Sequence, residues 1–166
     1  EILSAELTEL AGRVTSRGEA YRALQAATVV METCASNAEA GDTLWDAVHL
    51  GAAYSRGMAL AFKALCDIVE VDCTVVAGRL DRAEHYWNIV TVDGASYHVD
   101  VSAAAERGLA ATFFISDADM WGHYWWDNEN YPQCDGALSY AALTEEPDSV
   151  ETEAPEASPS PEVSPS

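Results

Sequence analysis

The sequence predicts an α+β domain in which N-terminal helices pack on an antiparallel β-sheet. Over the first 70 or so residues, apolar side chains recur at three- and four-residue spacing, which indicates helices. The pattern then changes to short segments rich in β-branched and aromatic residues, broken by turn signals. Residues 145–166 hold five of the six prolines and very few apolar side chains. We therefore predict a folded domain over residues 1–144 and a disordered, acidic Pro/Ser/Glu-rich tail over residues 145–166.

The helical part divides into several segments. The second helix is predicted over residues 18–31, and the first from the spacing of Leu3, Leu7, Leu10 and Val14. After a loop at residues 37–42, the stretch TLWDAVHL predicts a short helix with Thr43 as its N-cap. After the sequence GAAYSRG, apolar residues at helical spacing predict a helix that is buried on most sides. These residues are Met58, Ala61, Phe62, Leu65 and Ile68.

The sheet is predicted from three consecutive segments that read VDCTVVAG, HYWNIVTV and SYHVDV. The dipeptide Asp93-Gly94 between the last two is typical of a two-residue hairpin turn. The stretch ATFFI further along the chain predicts a fourth strand. We expect these four strands to form an antiparallel meander.

Charge and cysteine content narrow the possible partners. The formal net charge is −20, and residues 145–166 hold seven acidic residues, so the domain is strongly acidic even without its tail. This charge repels nucleic acid and anionic lipid, and we exclude both as partners. No apolar run reaches the roughly 18 residues that a membrane span needs, so no membrane insertion is expected. None of the four cysteines (Cys34, Cys66, Cys73 and Cys134) belongs to a C-x-x-C pair, and disulfides, reduced thiols and the oligomeric state stay open.

Three residues are candidates for a catalytic site. Ser55 lies at the start of the buried helix, His85 opens one strand, and Asp100 ends the strand paired with it. Because residues near 86–91 face residues near 96–101 in this hairpin, His85 and Asp100 fall near the same end of it. A nucleophile at a helix start, a base and an acid that orients the base are the three roles of a catalytic triad.

These stretches resemble the transglutaminase-like superfamily of papain-like thiol enzymes, especially its bacterial extracellular members. In such proteins the nucleophile lies in a pattern close to C-x-G-Y-A-x-A-F, the base in H-x-W-N and the acid in W-Y-x-V-D. The matching residues here are Gly57, Ala59, Ala61 and Phe62, then His85, Trp87 and Asn88, and finally Tyr97 and Asp100. The resemblance covers most of residues 15–134. It implies a papain-like core with a Ser55/His85/Asp100 site.

The resemblance also implies a function. Members of this superfamily carry out acyl transfer or hydrolysis on peptide or glutamine amides, so a peptide or protein substrate and no cofactor are expected. Together with the Pro/Ser/Glu-rich tail, the resemblance favours a secreted or cell-surface location.

One departure bears on activity, since Ser55 occupies the cysteine position of the first pattern. At a helix N-terminus beside an imidazolium, a cysteine pKa falls to about 3.5–7.5. The helix end contributes only ~0.3–2 kcal/mol toward an anion, too little to ionise a serine. We therefore expect a pseudoenzyme or an engineered inactive variant, with a serine hydrolase left open. The alternatives are that Ser55 is a plain N-cap, and that the domain is a non-catalytic extracellular module that binds peptides or cell-wall stems.

Four aromatic residues are candidates for lining a substrate cleft: Trp87, Tyr54, Trp125 and Trp126. Packing is the alternative for Trp87, and an aromatic surface or core cover is the alternative for the stretch HYWW at residues 123–126. The acidic stretch DNEN does not start an EF-hand loop, because Pro132 occupies the sixth position, where such a loop needs glycine. No metal site is predicted, and only a weak, irregular cation site stays open as an alternative.

Overall fold

A computed structural model of the protein describes residues 1–145. The tail predicted for residues 145–166 therefore lies outside the described residues, apart from Glu145. Within the described range, helices dominate up to residue 68 and strands dominate from residue 72 onward. The predicted α+β architecture is confirmed.

The N-terminal helices are α1 (Ile2–Ala11), α2 (Glu19–Thr33) and α3 (Ser55–Ile68). A short parallel pair, β1 (Ala35–Ser36) with β2 (Ala52–Ala53), brackets a π-helix at Asp46–Leu50. The buried face of α2 is rich in alanine, which lets α2 pack closely against α3. In α3 the buried face includes Met58, Phe62 and Leu65, as the apolar stripe predicts, but Ile68 at its end is exposed.

The turn before the π-helix is capped as predicted. The Thr43 hydroxyl accepts a hydrogen bond from the Asp46 N–H at 3.2 Å. In return, the Thr43 N–H donates to the Asp46 carboxylate at 3.0 Å. These two bonds form a reciprocal cap of the kind that starts helices.

The sheet has five strands in the order β6-β5-β4-β3-β7, and every neighbouring pair is antiparallel. Its strands are β3 (Asp72–Leu80), β4 (Ala83–Val92), β5 (Ala95–Val99), β6 (Phe113–Ile115) and β7 (Tyr124–Trp125). The predicted four-strand meander is therefore confirmed, and β7 is an addition at its edge. Strands β5 and β6 are connected by helix α4 (Val101–Arg107) and a 3-10 turn at Leu109–Ala111. After β6 come α5 (Asp117–Met120), a 3-10 turn at Asn128–Asn130 and α6 (Tyr140–Glu145).

Two apolar cores lie against the sheet. The larger one fills the space between the helices and the sheet and contains Phe62, Leu65 and Val90. The smaller one collects Val76, Trp87, Ile89, Met120, Tyr124, Trp126 and Cys134. Trp87 and Trp126 thus belong to a core, and the prediction that they line an open cleft is corrected. The Tyr124 ring packs edge-on against the Trp87 indole, and the Trp121 ring stacks on the Trp126 indole.

The four cysteines are buried and have free thiols in this structure. Burial raises the pKa of the Cys66 thiol well above its ordinary value, and contact with Cys73 raises it further. Such thiols are protonated and behave as small apolar groups in a core. No helix within residues 1–145 has the length and apolarity that crossing a bilayer requires.

Candidate active site

Ser55 is the first residue of α3, and the N-cap position is occupied by Tyr54. The Ser55 hydroxyl makes no capping bond to its own helix; it accepts a hydrogen bond from the Tyr86 N–H of β4 at 3.1 Å. The N-cap alternative is therefore wrong. Only 2% of Ser55 is exposed, so its hydroxyl sits between the helix start and the strand that carries His85.

Gly57 explains why this helix can start where it does. A Cβ at this position would lie 2.8 Å from the Ala53 side chain and 2.8 Å from the Thr43 carbonyl oxygen. Real Cβ atoms do not approach other atoms so closely. The loop before α3 therefore packs directly on its first turn, which holds Ser55 in place.

His85 and Asp100 are brought together by the hairpin of β4 and β5. The register pairs Asn88 with Val99, so the start of β4 and the residue after β5 lie at one end. The His85 Nε2 atom lies 2.8 Å from Asp100 Oδ2, and both side chains are buried. The pairing that the sequence spacing suggests is thus present as a buried hydrogen bond.

Asp100 accepts hydrogen bonds at both of its oxygens. Oδ2 also accepts from the Tyr124 hydroxyl at 2.6 Å. Oδ1 accepts from the Ser102 hydroxyl and from the Ala103 N–H, each at 3.2 Å. The Ala103 bond makes Asp100 the N-cap of α4. A carboxylate with four donors is fixed in orientation, and it fixes the His85 ring in turn.

Tyr124 and Ser102 were not identified from the sequence as part of this site. The signal for Tyr124 was the HYWW stretch, which forms β7 and brings the phenol over the Asp100 carboxylate. Burial raises the pKa of Tyr124, and the Asp100 charge raises it further, so the phenol stays protonated and donates. The signal for Ser102 was its position two residues after an aspartate that caps a helix.

The third pairing of a triad is not formed. Among the described residues, Ser55 has no hydrogen bond to His85. The His85 Nε2 atom is engaged by Asp100 and lies 3.4 Å from the Ser102 hydroxyl. The His85 Nδ1 atom has no hydrogen-bond partner within residues 1–145, and it is the ring nitrogen left for a nucleophile or a substrate.

Asn88 packs against α3 beneath the candidate site. Its Nδ2 donates to the Ala59 carbonyl at 3.1 Å, so Asn88 satisfies a backbone group as expected. Of the four aromatic residues predicted for a cleft, Trp125 is 57% exposed, Tyr54 is half-buried, and Trp87 and Trp126 are core residues as described above.

A second histidine–aspartate pair lies in the smaller core. The Trp87 indole N–H donates to His98 Nδ1 at 2.9 Å, so His98 carries its hydrogen on Nε2 and donates to Asp117 at 2.7 Å. Cys134 lies close to both groups. Burial raises the pKa of the Cys134 thiol, which keeps it protonated. The protons on His98 Nε2 and on the Cys134 sulfur disfavour binding of a metal by these two atoms. The cluster therefore fits a hydrogen-bonded network inside the core.

This network predicts a pH dependence of stability. Burial lowers the pKa of His98 below its ordinary 6.5, and the hydrogen bond that His98 donates to Asp117 opposes this only in part. Below about pH 6.5 the unfolded chain therefore binds a proton that folded His98 excludes, so the free energy of unfolding falls with falling pH. Urea unfolding between pH 5 and about pH 8 measures this slope. His98→Gln keeps an acceptor and a donor without titrating and should flatten the slope; an unchanged slope contradicts the assignment.

Tyr124→Phe tests the hydrogen bond to Asp100. Losing a buried bond to a carboxylate should lower the free energy of unfolding by about 1–2 kcal/mol. Tyr140→Phe is the control, because Tyr140 is partly buried against the larger core and its hydroxyl makes no hydrogen bond within residues 1–145. Urea denaturation of both variants compares them. Equal stability losses would show that the Tyr124 hydroxyl does not support Asp100.

Two solved structures share this fold. One is a TGase that aligns with a TM-score of 0.50 and 14% identity over 60% of this chain and 30% of that one. The other is a candidate cysteine protease from Cytophaga hutchinsonii, with a TM-score of 0.51 and 12% identity over 60% of this chain and 37% of that one. The chain thus spans less than two fifths of either protein. No protein-family model and no curated protein matches it. It has the transglutaminase-like, papain-like α+β fold.

Proposed function

We propose that this domain carries a site for acyl chemistry on peptide or glutamine amides, and that Ser55 in the nucleophile position leaves it with little activity. The observation that carries this proposal is the buried His85–Asp100 pair beside the first turn of α3. An orienting carboxylate, an imidazole with one free nitrogen and a hydroxyl at a helix start are the parts that acyl transfer needs.

Each residue has a role in this chemistry. The Ser55 oxygen attacks the amide carbon while His85 Nδ1 takes the hydroxyl proton, and Asp100 holds the ring through Nε2. N–H groups at the start of α3, including that of Ser55, face the developing oxyanion. His85 then gives the proton to the departing nitrogen, leaving an ester on Ser55. Water or an amine releases the acyl group and completes either hydrolysis or transfer.

Two observations support weak activity. The serine hydroxyl stays protonated at rest, so its proton must move to His85 during the attack, yet no hydrogen bond joins the two groups. Ser55 is also almost fully covered, so a substrate must displace neighbouring atoms to reach it. The required proton transfer raises the barrier relative to a resting thiolate, whereas the burial of position 55 hinders either nucleophile.

The same two observations favour a second function from another class. A domain with a covered hydroxyl and an intact scaffold could serve as a non-catalytic extracellular module that binds peptides or cell-wall stems.

We also keep secretion or cell-surface display as a proposal, supported by the acidic Pro/Ser/Glu composition of residues 145–166. Antibody labelling of the tail on intact cells tests it, and a purely cytosolic fraction would contradict it.

The direct test is an amide assay. The protein and its Ser55→Cys variant are incubated with an N-protected Gln-Gly dipeptide, with and without a primary amine, and released ammonia is measured. We expect the cysteine form to exceed the serine form by on the order of 10³-fold, and His85→Ala to remove the gain. Mass spectrometry of a peptide mixture measures cleavage in parallel. Absence of both reactions in the cysteine form would leave the binding module as the function.

A further inference from the structure

A groove rich in arginine and tryptophan lies at the end of the sheet where β7 meets β3. We call it the arginine–tryptophan groove, with Arg79, Arg82, Trp121, His123 and Trp125 as its characteristic residues. Its volume is about 770 Å³. Trp121 and Trp125 are 50% and 57% exposed, so two indole surfaces of a very acidic protein face solvent side by side with cationic groups.

The charge of this groove differs from that of the rest of the protein. The chain has eight Lys and Arg residues against 28 acidic ones. Three of those cations, Arg79, Arg82 and Arg107, lie at this one end of the sheet. Asp81 is shared by Arg107 and His123, whereas neither Arg79 nor Arg82 has a carboxylate partner within residues 1–145. Two guanidinium groups are thus available to an anionic ligand.

The groove continues toward the candidate active site. A smaller hollow of about 190 Å³ is lined by Ala77, Gly78, Arg79, Glu84, Tyr86 and Trp125. Arg79 and Trp125 line both spaces, with the guanidinium 5.8 Å from the centre of the indole ring. Tyr86 lines the smaller hollow and also donates its N–H to the Ser55 hydroxyl, so this one residue connects the hollow to the candidate nucleophile, which is buried and does not line the hollow itself.

Main-chain groups favour a peptide as the ligand. Strand β7 pairs with β3 only at Arg79 and Leu80, so the rest of this edge of β3 pairs with no strand in the described range. The Ala77 N–H, next to the hollow, has only a 3.4 Å bond to the Tyr131 hydroxyl. An extended peptide can pair with such a strand edge, which a sugar or a small acid cannot.

We infer that the arginine–tryptophan groove binds an acidic peptide, whose carboxylates contact Arg79 and Arg82 and whose apolar side chain contacts Trp125. The inference rests on the proposed function in one respect, since it places the reacting amide of that peptide at Ser55. To the proposed amide chemistry the inference adds a substrate class. The peptide segment that contains the reacting glutamine or the peptide bond to be cleaved is followed or preceded by Asp or Glu.

The test is a binding measurement that needs no turnover. Calorimetric titration of the unmodified protein uses an N-acetylated, C-amidated hexapeptide, Gly-Gln-Gly-Phe-Glu-Glu. The same peptide ending in Gln-Gln or in Lys-Lys is titrated for comparison. Paired guanidinium–carboxylate contacts should make the Glu-Glu peptide bind about tenfold more tightly than the Gln-Gln peptide, and the Lys-Lys peptide should bind most weakly.

Charge-matched variants locate the effect. Arg79→Gln with Arg82→Gln should abolish the preference for Glu-Glu, while Arg13→Gln with Arg17→Gln, two exposed arginines of the N-terminal segment, should leave it unchanged. Equal affinity for all three peptides, or an equal loss in both double variants, would overturn the inference. Binding of polygalacturonate in place of the peptide would also overturn it. Acidic-peptide binding by a protein whose Ser55→Cys form lacks amide chemistry would remove the proposed function and retain this inference.

Discussion

Replacing Ser55 with cysteine is expected to create a thiolate at neutral pH. The sulfur would sit at the start of α3, where the helix dipole favours an anion, with the Tyr86 N–H already directed at it. The His85 ring beside it accepts the thiol proton to form an ion pair. Together these effects bring a cysteine pKa from about 8.5 into the range of about 3.5–7.5. Iodoacetamide alkylation, followed by mass spectrometry across pH, should therefore persist below about pH 6.

Three comparisons make this result specific. The unmodified protein supplies the background, which should be low because burial raises the pKa of the Cys34, Cys66 and Cys134 thiols. Adding His85→Ala to the cysteine variant should return the thiol to an ordinary titration. Ultraviolet absorbance of the thiolate reports ionisation even where alkylation is slow. A cysteine that titrates near 8.5 with His85 present would contradict the proposed site.

Replacing Trp87 with alanine is expected to cost about 3–5 kcal/mol of the free energy of unfolding. The indole is fully buried, and its N–H is the donor to His98 Nδ1. Truncation leaves a cavity in the smaller core and an unpaired ring nitrogen next to it. Thermal and urea unfolding measure the loss.

Two further variants keep this prediction testable if the alanine form does not fold. Trp87→Phe retains most of the volume and removes only the donor, so a smaller loss of about 1–3 kcal/mol is expected. Trp125→Ala removes an equally large but exposed side chain and should change stability by no more than about 0.5 kcal/mol. Similar losses at positions 87 and 125 would show that Trp87 does not anchor the core.

The elements with strong periodicity were predictable from the sequence. Apolar residues at helical spacing located α2 and α3, and β-branched runs with the Asp93-Gly94 turn located β4 and β5. The position of this turn also predicts that His85 and Asp100 lie at one end of the sheet, because the length of the turn fixes the register of the two strands. Local pattern is sufficient where a single period persists over many residues.

The parts that the sequence did not reveal depend on contacts between distant segments. Strand β7 has two residues, too few for any period, and it exists because Gly78 lets the Trp125 carbonyl and the Trp87 ring approach β3. The role of Tyr124 follows from that placement. For Trp87 the sequence predicts a cleft residue with packing as the alternative, and its full burial confirms packing. The sequence alone does not distinguish an indole beneath a site from one beside it.

The four hydrogen bonds to Asp100 have a consequence for how such a site can change over time. This side chain starts α4, holds the phenol of β7 and anchors His85, so the fold depends on it whether or not any reaction takes place. The Ser55 side chain makes a single hydrogen bond within residues 1–145, from the Tyr86 N–H, and a thiol can accept the same bond. Exchanging oxygen for sulfur at position 55 would therefore leave all four hydrogen bonds of Asp100 in place. The packing of the fold thus accounts for the His85–Asp100 pair, and the presence of this pair does not by itself report on turnover.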